Sequence, residues 1–474
     1  MVGIVSYGAY VPLRRLGQGT TGWNFPVEKA VANWDEDSLT MAVAAVIDCL
    51  GDKDRQMVDG FYFASTSSPY SEKLAATTAA WASDLRNDIV TVDFTDSLRA
   101  GTAALRIAAD SVKAGSTKRL LVTASDLRMG APRSGLDQGM GDGVTAFLIG
   151  DTDVIATIED SYSISNELLD VWRVGRTRYV RTWEDRFVYE EGYSKILPQA
   201  VEGFFQKSNL TPADINRAVL YAPDQRRHRE MINRLGFKPE QVQPPFFDKI
   251  GNTGTAYSLM MLTAALEDSS SGDKILVASY GDGADILLLQ VTDKIGAIKG
   301  QRGIKGNLAS KMIIRSYDEY LAYREYASSD PEKPGGASAS IIHRERDAIY
   351  RLHGVKCRVC GTLQYPPQRV CTNCQTRDNF ETARFSDKKG QVFTYTLKYG
   401  GGVPDFARPM VDTMVDFNGG GRAIFGMTDM DVDLIKIGMD VEMSFRRLGT
   451  AGGIHNYTWR CMPTRDSWTV KEAE

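Results

Sequence analysis

Four cysteines, Cys357, Cys360, Cys371 and Cys374, stand as Cys-x2-Cys, ten residues, Cys-x2-Cys in CRVCGTLQYPPQRVCTNC. Each CxxC turn aims two thiolates at one ion, and two such knuckles complete a tetrahedron. Four protein sulfurs close the shell and leave no position for water, so the expected ion is a structural zinc. The other two cysteines, Cys49 and Cys461, are isolated, which favours metal binding over disulfides and fits a cytoplasmic protein.

A second stretch invites chemistry for a different reason. DSLRAGTAALRIAADSVKAG (96–115) follows an extended run, DIVTVDF (88–94). A strand that turns straight into a helix presents the helix N-terminus, a favoured place for a reactive side chain or an anion. The turn offers Asp96, Ser97 and Leu98 but no cysteine, and the nearest upstream cysteine is Cys49. Ser97 as a nucleophile needs a base to activate it. As caps for free N–H groups, Asp96 and Ser97 are ordinary residues. Only four histidines are present, His228, His343, His353 and His455, which limits acid–base chemistry. His228 lies in DQRRHREMINRLGF, a basic helix on which it is expected at the surface.

These residues must be positioned by a substantial fold. The chain of 474 residues is long enough for two to four domains, with ordinary hydrophobic (43%) and charged (24%) content. A net charge of -4 gives no sign of nucleic-acid binding, and no apolar run reaches the length of a membrane span. The start, MVGIVSYGAYVP, reads as a first strand, not a signal peptide. Strand and helix signals alternate to about residue 293, as in an α/β layered fold. The region repeats itself. GTAALRIAADSVKAGSTKRLLVTASD leads to GDGVTAFLIGD, and GTAYSLMMLTAALEDSSSGDKILVASY leads to GDGADILLLQVTD. Both copies give Gly-Thr-Ala, helix, strand, Gly-Asp-Gly, strand, the mark of a duplication. Residues 127–140 are an extra loop in the first copy. A duplicated unit of this kind usually forms its site at the joint, fed by the equivalent helix starts of both halves.

We divide the chain into halves 1–157 and 158–293, a linker and helix 294–345, a zinc ribbon 346–384 and a barrel 385–474. The linker opens with KIGAIKGQRGIKGNLASKMIIRS, six basic residues and no acid, expected to be solvated. SSDPEKPGGASAS (328–340) is expected to be flexible. The tail reads as five short strands, QVFTYTLKY, MVDTMVDF, RAIFGMTDM, DVEMSFRRL and NYTWRCMP, which suggest a small β-barrel.

On VGIVSYGAYVP, SLRAGTAAL, IGNTGTAYSL and the paired GDG strands, residues 1–293 resemble the thiolase superfamily, nearest the 3-hydroxy-3-methylglutaryl-CoA synthases and ketoacyl-ACP synthases III. On SYDEYLAYRE and HGVKCRVCGTLQYPPQRVCTNC, residues 314–468 resemble the OB-fold family with a rubredoxin-like zinc ribbon, thought to bind acyl-CoA. The resemblance implies a duplicated five-layered αβαβα fold and a coenzyme A or acyl-carrier-protein thioester as substrate. It also implies a homodimer, with a second thiolase-like subunit as a further partner.

The family's acyl-accepting cysteine falls at Leu98, its histidine at Tyr221 in Tyr221-Ala222-Pro223, and its asparagine at Asn252 in Gly251-Asn252-Thr253. The glutamate of the synthases falls near Thr66. Asn252 and a backbone N–H near Gly283 would bind a thioester oxygen. Trp172 and Arg173 would border the acyl pocket, and Arg226, with Arg227 and Arg229, would meet CoA phosphates. Leucine cannot take an acyl group, so the resemblance points to a reaction that uses a thioester enolate without an acyl-enzyme: aldol addition or its reversal on a β-hydroxyacyl-CoA. Tyr221, with a pKa lowered by neighbours, or Asp96 would exchange the proton. The alternatives are an acyltransferase or Claisen-type condensing enzyme, and a non-catalytic acyl-CoA-binding scaffold.

Overall fold

The computed structural model describes residues 1–175, 177–298, 300–324, 338–399 and 409–468. Most of the stretch 328–340 falls outside these residues. Apolar segments rich in Val, Ile, Leu and Ala build one nine-stranded sheet: β1 (Gly3–Tyr10), β2 (Gly60–Ala64), β3 (Val90–Phe94), β4 (Arg119–Asp126), β5 (Gly143–Gly150), β6 (Ala156–Ser165), β7 (Arg217–Leu220), β8 (Lys274–Tyr280) and β9 (Gly283–Val291). Its order is β7-β8-β9-β6-β1-β5-β4-β2-β3. Strands buried on both faces, such as GIVSYGAY of β1, run apolar without alternation.

The duplication is visible in this order. The first half reads β3-β2-β4-β5-β1, with β2 and β3 parallel. The second reads β7-β8-β9-β6, and where the counterpart of β3 should stand Val242 makes a single parallel bridge to Ala218 of β7. The halves join through β1 and β6 at only Gly3–Thr157 and Ile4–Ala156. Helices α1 (Ser38–Leu50), α2 (Ala75–Ala82), α3 (Ala100–Lys113), α4 (Ser194–Ser208), α5 (Gln225–Leu235) and α6 (Tyr257–Glu267) cover the sheet. The equivalent helices α3 and α6 approach closely: a Cβ on Gly101 would stand 3.0 Å from both Leu259 Cδ1 and the Thr255 carbonyl. Any side chain at 101 would push the halves apart.

The tail closes a five-stranded barrel from β10 (Gly390–Lys398), β11 (Met410–Phe417), β12 (Arg422–Met427), β13 (Asp440–Ala451) and β14 (Ile454–Pro463), in the order β10-β11-β12-β14-β13. Along β11 every second side chain, Val411, Thr413, Val415 and Phe417, is buried, as the strand period requires. Between body and barrel, His353–Cys357 and Phe380–Arg384 pair in the ribbon sheet. Asp84 of the body holds the ribbon by accepting from His353 Nε2 (2.8 Å) and Arg351 (3.1 Å).

One expectation about the connecting segment changes. The basic stretch after residue 293 is not a solvated linker. Ile304, Asn307 and Ile314 are buried in the body, because apolar residues alternate with the basic ones. The cations stay outside and pair across elements, Arg302 with Glu442 (3.3 Å) and Lys311 with Glu28 (2.7 Å). The barrel meets the body over a charge cluster buried at Arg446, Arg460, Asp35, Glu36 and Asp429. Arg446 reaches Asp35 (3.2 Å), Glu36 (2.8 Å) and Asp429 (2.7 Å), Arg460 reaches Asp35 (3.0 Å), and Arg14 approaches Asp429 (3.7 Å). Among the described residues no helix is long and apolar enough to cross a membrane.

Candidate active site

The turn between β3 and α3 places Leu98 where the helix begins. Gly281, at the end of β8, lies so close that a Cβ there would stand 2.8 Å from Leu98 Cβ. The duplicated halves therefore meet at this point, the helix start of one against the Gly-Asp-Gly turn of the other. Arg99 fixes the joint. Its guanidinium donates to the carbonyls of Gly281 and Asp282 and pairs with Asp285 at 2.9 Å.

Asp96 and Ser97 do not cap the helix. It starts at Ala100 with Arg99 in the cap position and no side-chain cap. The chain turns through Asp96 with φ of 71°, which carries that residue outward to solvent, where its carboxylate accepts from Thr95 at 2.9 Å. Ser97 Oγ accepts from Arg99 N–H at 3.3 Å and faces the Gly281 carbonyl at 3.5 Å, so its neighbours are backbone groups in place of a base.

Tyr221 and Asn252 come together although 31 residues separate them. Asn252 Nδ2 lies 3.4 Å from Tyr221 Oη and 3.5 Å from the Ala222 carbonyl. Its Oδ1 accepts from Gly254 N–H at 2.9 Å, which fixes the amide orientation and turns the NH2 toward the tyrosine. Both side chains are buried, at 6% and 7% exposure. Tyr221 accepts from the amide, which leaves its own O–H to donate. Its pKa moves opposite to the expected direction: burial raises it, against the pull of Asn252 and of the Arg128 charge. The phenol is thus held protonated, as a hydrogen-bond donor.

The tyrosine lies in a cluster of rings. Tyr193, Tyr257 and Tyr280 sit with centroids 6.2, 5.9 and 6.1 Å from that of Tyr221. The Tyr193 hydroxyl donates to the Tyr221 carbonyl at 2.9 Å. Gly283 opens β9 with φ of 118°, two residues beyond Gly281. Trp172 and Arg173 follow Asp170, which is buried and whose carboxylate accepts from Val171 N–H at 2.6 Å. Arg173 donates to the Thr66 carbonyl at 2.7 Å. Arg226 is exposed on α5 and faces Glu230 at 3.6 Å. On the same helix Arg227 is half-covered, paired with Asp224 and Asp185 over the Tyr189 ring. His228 is not at the surface. It is 1% exposed because it falls on the face of α5 with Met231 and Leu235, and burial pushes its pKa down to about 4.

Asp126, at the end of β4, is a residue that sequence reasoning missed. It is fully buried and gathers Ser65 Oγ (3.1 Å), Thr66 N–H (2.7 Å), Thr66 Oγ1 (2.9 Å), Ser67 Oγ (2.8 Å) and Thr255 N–H (2.8 Å). One carboxylate thereby ties the Thr66 loop to the Asn252 loop. Asp170 and Tyr280 were missed as well. The repeat carried a signal for two of the three, since Asp126 in VTASD and Tyr280 in VASY end equivalent strands.

In the ribbon, the four cysteine sulfurs lie within 4.8 Å of one another, with Cys357–Cys374 at 3.6 Å and Cys360–Cys371 at 3.5 Å. A tetrahedron with Zn–S of about 2.3 Å has edges of about 3.8 Å, so the four thiolates fit zinc.

Comparison with known proteins agrees with this geometry. Residues 205–289 match the family described as 3-oxoacyl-[acyl-carrier-protein] synthase III C-terminal, and residues 344–381 match the ChsH2 rubredoxin-like zinc ribbon domain. The hydroxymethylglutaryl-CoA synthase of Methanopyrus kandleri is 34% identical over 341 residues, covering 68% of this chain and 97% of the relative. That of Pyrococcus horikoshii is 32% identical over 335 residues, covering 68% and 95%. In fold, the chain is similar to an HMG-CoA synthase complexed with CoA (TM-score 0.60, 17% identity, 71% of this chain and 94% of that one). It is likewise similar to the HMG synthase of the curacin biosynthetic pathway in complex with holo donor-ACP (TM-score 0.61, 19% identity, 81% and 100%). With relatives above 30% identity matched along nearly their whole length, this chain belongs to the hydroxymethylglutaryl-CoA synthase family of the thiolase superfamily, with a zinc ribbon and a barrel added at its C-terminal side.

Proposed function

We propose that this protein makes or breaks a carbon–carbon bond on a CoA thioester by aldol chemistry, through a thioester enolate and without an acyl-enzyme. The observation that carries this reading is the Tyr221–Asn252 pair, whose loop is tied to the turn that bears Leu98 by the Thr255 hydroxyl donating to the Ser97 carbonyl at 3.1 Å. The phenol O–H, oriented by the Asn252 amide that donates to its oxygen, is a donor for a developing oxyanion, and it acts in a buried site where such a donor counts most. Leu98 offers no electron pair to an acyl group. A β-hydroxyacyl-CoA would lose its hydroxyl proton and break the Cα–Cβ bond. The electron pair would pass to the thioester oxygen while an aldehyde or ketone departs. Protonation at Cα then gives an acyl-CoA. Condensation is the same path run backward, and it is the direction in which the names of the relatives lie. The four-sulfur site stands in the ribbon, not among these side chains, and its role is to fold that module.

Incubation of the full chain with a panel of β-hydroxyacyl-CoA thioesters tests the reading. Release of a carbonyl compound together with an acyl-CoA is the expected result. Tyr221→Phe is expected to lower that rate by about 10²–10³ while thioester binding is retained, because one oxyanion donor is removed. A stable acyl adduct on the protein from labelled acyl-CoA would instead establish an acyltransferase. Binding of thioesters without turnover of any panel member would establish a scaffold.

A further inference from the structure

Arg128 stands two residues beyond Asp126 and is 8% exposed. A buried guanidinium is costly unless acceptors or a counter-charge meet it. Each other buried arginine of the described residues donates to a partner. Arg15 donates to the Pro12 carbonyl, Arg55 to Asp387, Arg324 to Asp142, Arg446 and Arg460 to Asp35, and Arg465 to the Val11 carbonyl. Arg128 makes no hydrogen bond and no ion pair among the described residues. Asp126 is close by, but its carboxylate is taken by five other donors.

The backbone on either side fixes where this side chain goes. Leu127 N–H donates to Ser67 Oγ at 2.8 Å, and the Met129 carbonyl accepts from Val180 N–H at 2.8 Å. Between these ties the side chain of Arg128 lies over Gly254, where a Cβ would stand 2.6 Å from Arg128 Cδ. Gly254 is the residue whose N–H donates to Asn252 Oδ1 at 2.9 Å, and Asn252 Nδ2 lies 3.4 Å from Tyr221 Oη. Arg128 therefore packs on the loop that holds the donor pair, in space left by a missing side chain. Its charge bears on the Tyr221 phenol as well.

We propose that Arg128 receives a carboxylate carried by the acyl portion of the substrate, so that the protein acts on CoA thioesters of acids with a second carboxyl group. This rests on the enolate reading above, which brings the thioester carbonyl to Tyr221. A guanidinium presents a planar fork of N–H groups that matches a carboxylate in two parallel hydrogen bonds. The phosphates of CoA are held away from the thioester by the whole pantetheine arm. A cation packed on the donor pair therefore meets the acyl side of the ligand. The arriving carboxylate supplies the counter-charge that Arg128 lacks, and the paired bonds fix the acyl chain against the Tyr221 hydroxyl. The residue thus selects the substrate.

The test compares thioesters that differ only at the far end of the acyl chain. Binding of malonyl-, succinyl- and glutaryl-CoA to the full chain is measured by titration calorimetry against propionyl-, butyryl- and valeryl-CoA, in which a methyl group replaces the carboxylate. The wild type is expected to bind at least one acid thioester about 10–100-fold more tightly than its methyl counterpart, the range for hydrogen bonds to a charged group. The chain length with the largest ratio gives the reach of Arg128. Arg128→Met is expected to abolish the ratio, and Arg128→Lys to keep part of it, since the charge stays and the fork is lost. Without ligand, Arg128→Met is expected to melt above the wild type, because a buried charge without a partner is removed. Melting below the wild type would give the guanidinium a structural task and overturn the proposal. A loss of affinity for free CoA in Arg128→Met as large as that for the acid thioesters would assign the arginine to a phosphate, which also overturns it. Equal wild-type affinities within all three pairs overturn the proposal and leave the enolate reading standing. A wild type that binds none of the six thioesters overturns both.

Discussion

The side chains of the candidate site were legible to different degrees. Tyr221 and Asn252 stood out because each lies in a short motif with a partner in the resemblance, and the fold brings them to 3.4 Å. Asp170 did not stand out, because a lone Asp in sequence carries no mark of what it will face, and Asp126 and Tyr280 were marked only by ending equivalent strands of the repeat. His228 was misplaced for the same reason. Three arginines around it suggested solvent, but helical spacing puts it on the face of Met231 and Leu235. Its burial has a thermodynamic signature. The native imidazole resists protonation down to about pH 4. In the unfolded chain it titrates near 6.5. Between these values the unfolded state takes up a proton that the native state refuses, so stability falls as pH drops from about 6.5 toward 4, by at most about 3 kcal/mol from this residue. Urea denaturation of His228→Leu across that range should lack this share of the acid limb. A limb equal to that of the wild type would contradict the assignment.

At the scale of elements, the repeat was the strongest guide. Helix, strand and Gly-Asp-Gly order predicted the two halves, and the sheet order reproduces them down to the Val242 bridge. The turns were less legible, since their conformations depend on what packs above them. Gly254 shows this. It has φ of 63°, and a Cβ on it would overlap the Asp126 carboxylate and stand 2.6 Å from Arg128 Cδ. Gly254→Ala should cost about 1–2 kcal/mol for the left-handed backbone alone. The shifted loop carries Asn252, so thermal denaturation and turnover should both report the change. A variant with wild-type melting and turnover would show that the loop relaxes freely. The ribbon is the opposite case, because its spacing alone specifies its ligands. About one zinc per chain is expected by elemental analysis. Removal by a strong chelator should release the ribbon to proteolysis while the α/β body stays folded, since zinc contributes about 10–16 kcal/mol to modules of this kind. Protein that resists cleavage after losing its metal would argue against a structural role.

For the whole molecule, the sequence indicated the modules but not how they meet. The charges at the seam are far apart in the chain and look like ordinary surface residues until Asp35 and Glu36 of the body are seen around Arg446 of the barrel. A buried group of this kind is costly to break, because removing one member leaves the others without a counter-charge. Arg446→Met is therefore expected to destabilise the protein by about 3–5 kcal/mol. Chemical denaturation should then resolve barrel and body into separate transitions. A variant with wild-type stability and one transition would contradict a stabilising role for Arg446 at this seam. The cluster also bears on attempts to exchange modules between proteins. A foreign barrel would be accepted only if it brought guanidinium groups to the places of Arg446 and Arg460, because a greasy replacement surface would strand Asp35 and Glu36. The C-terminal module is keyed to its host, so chimaeras have to be designed around that lock before any question of linker length arises.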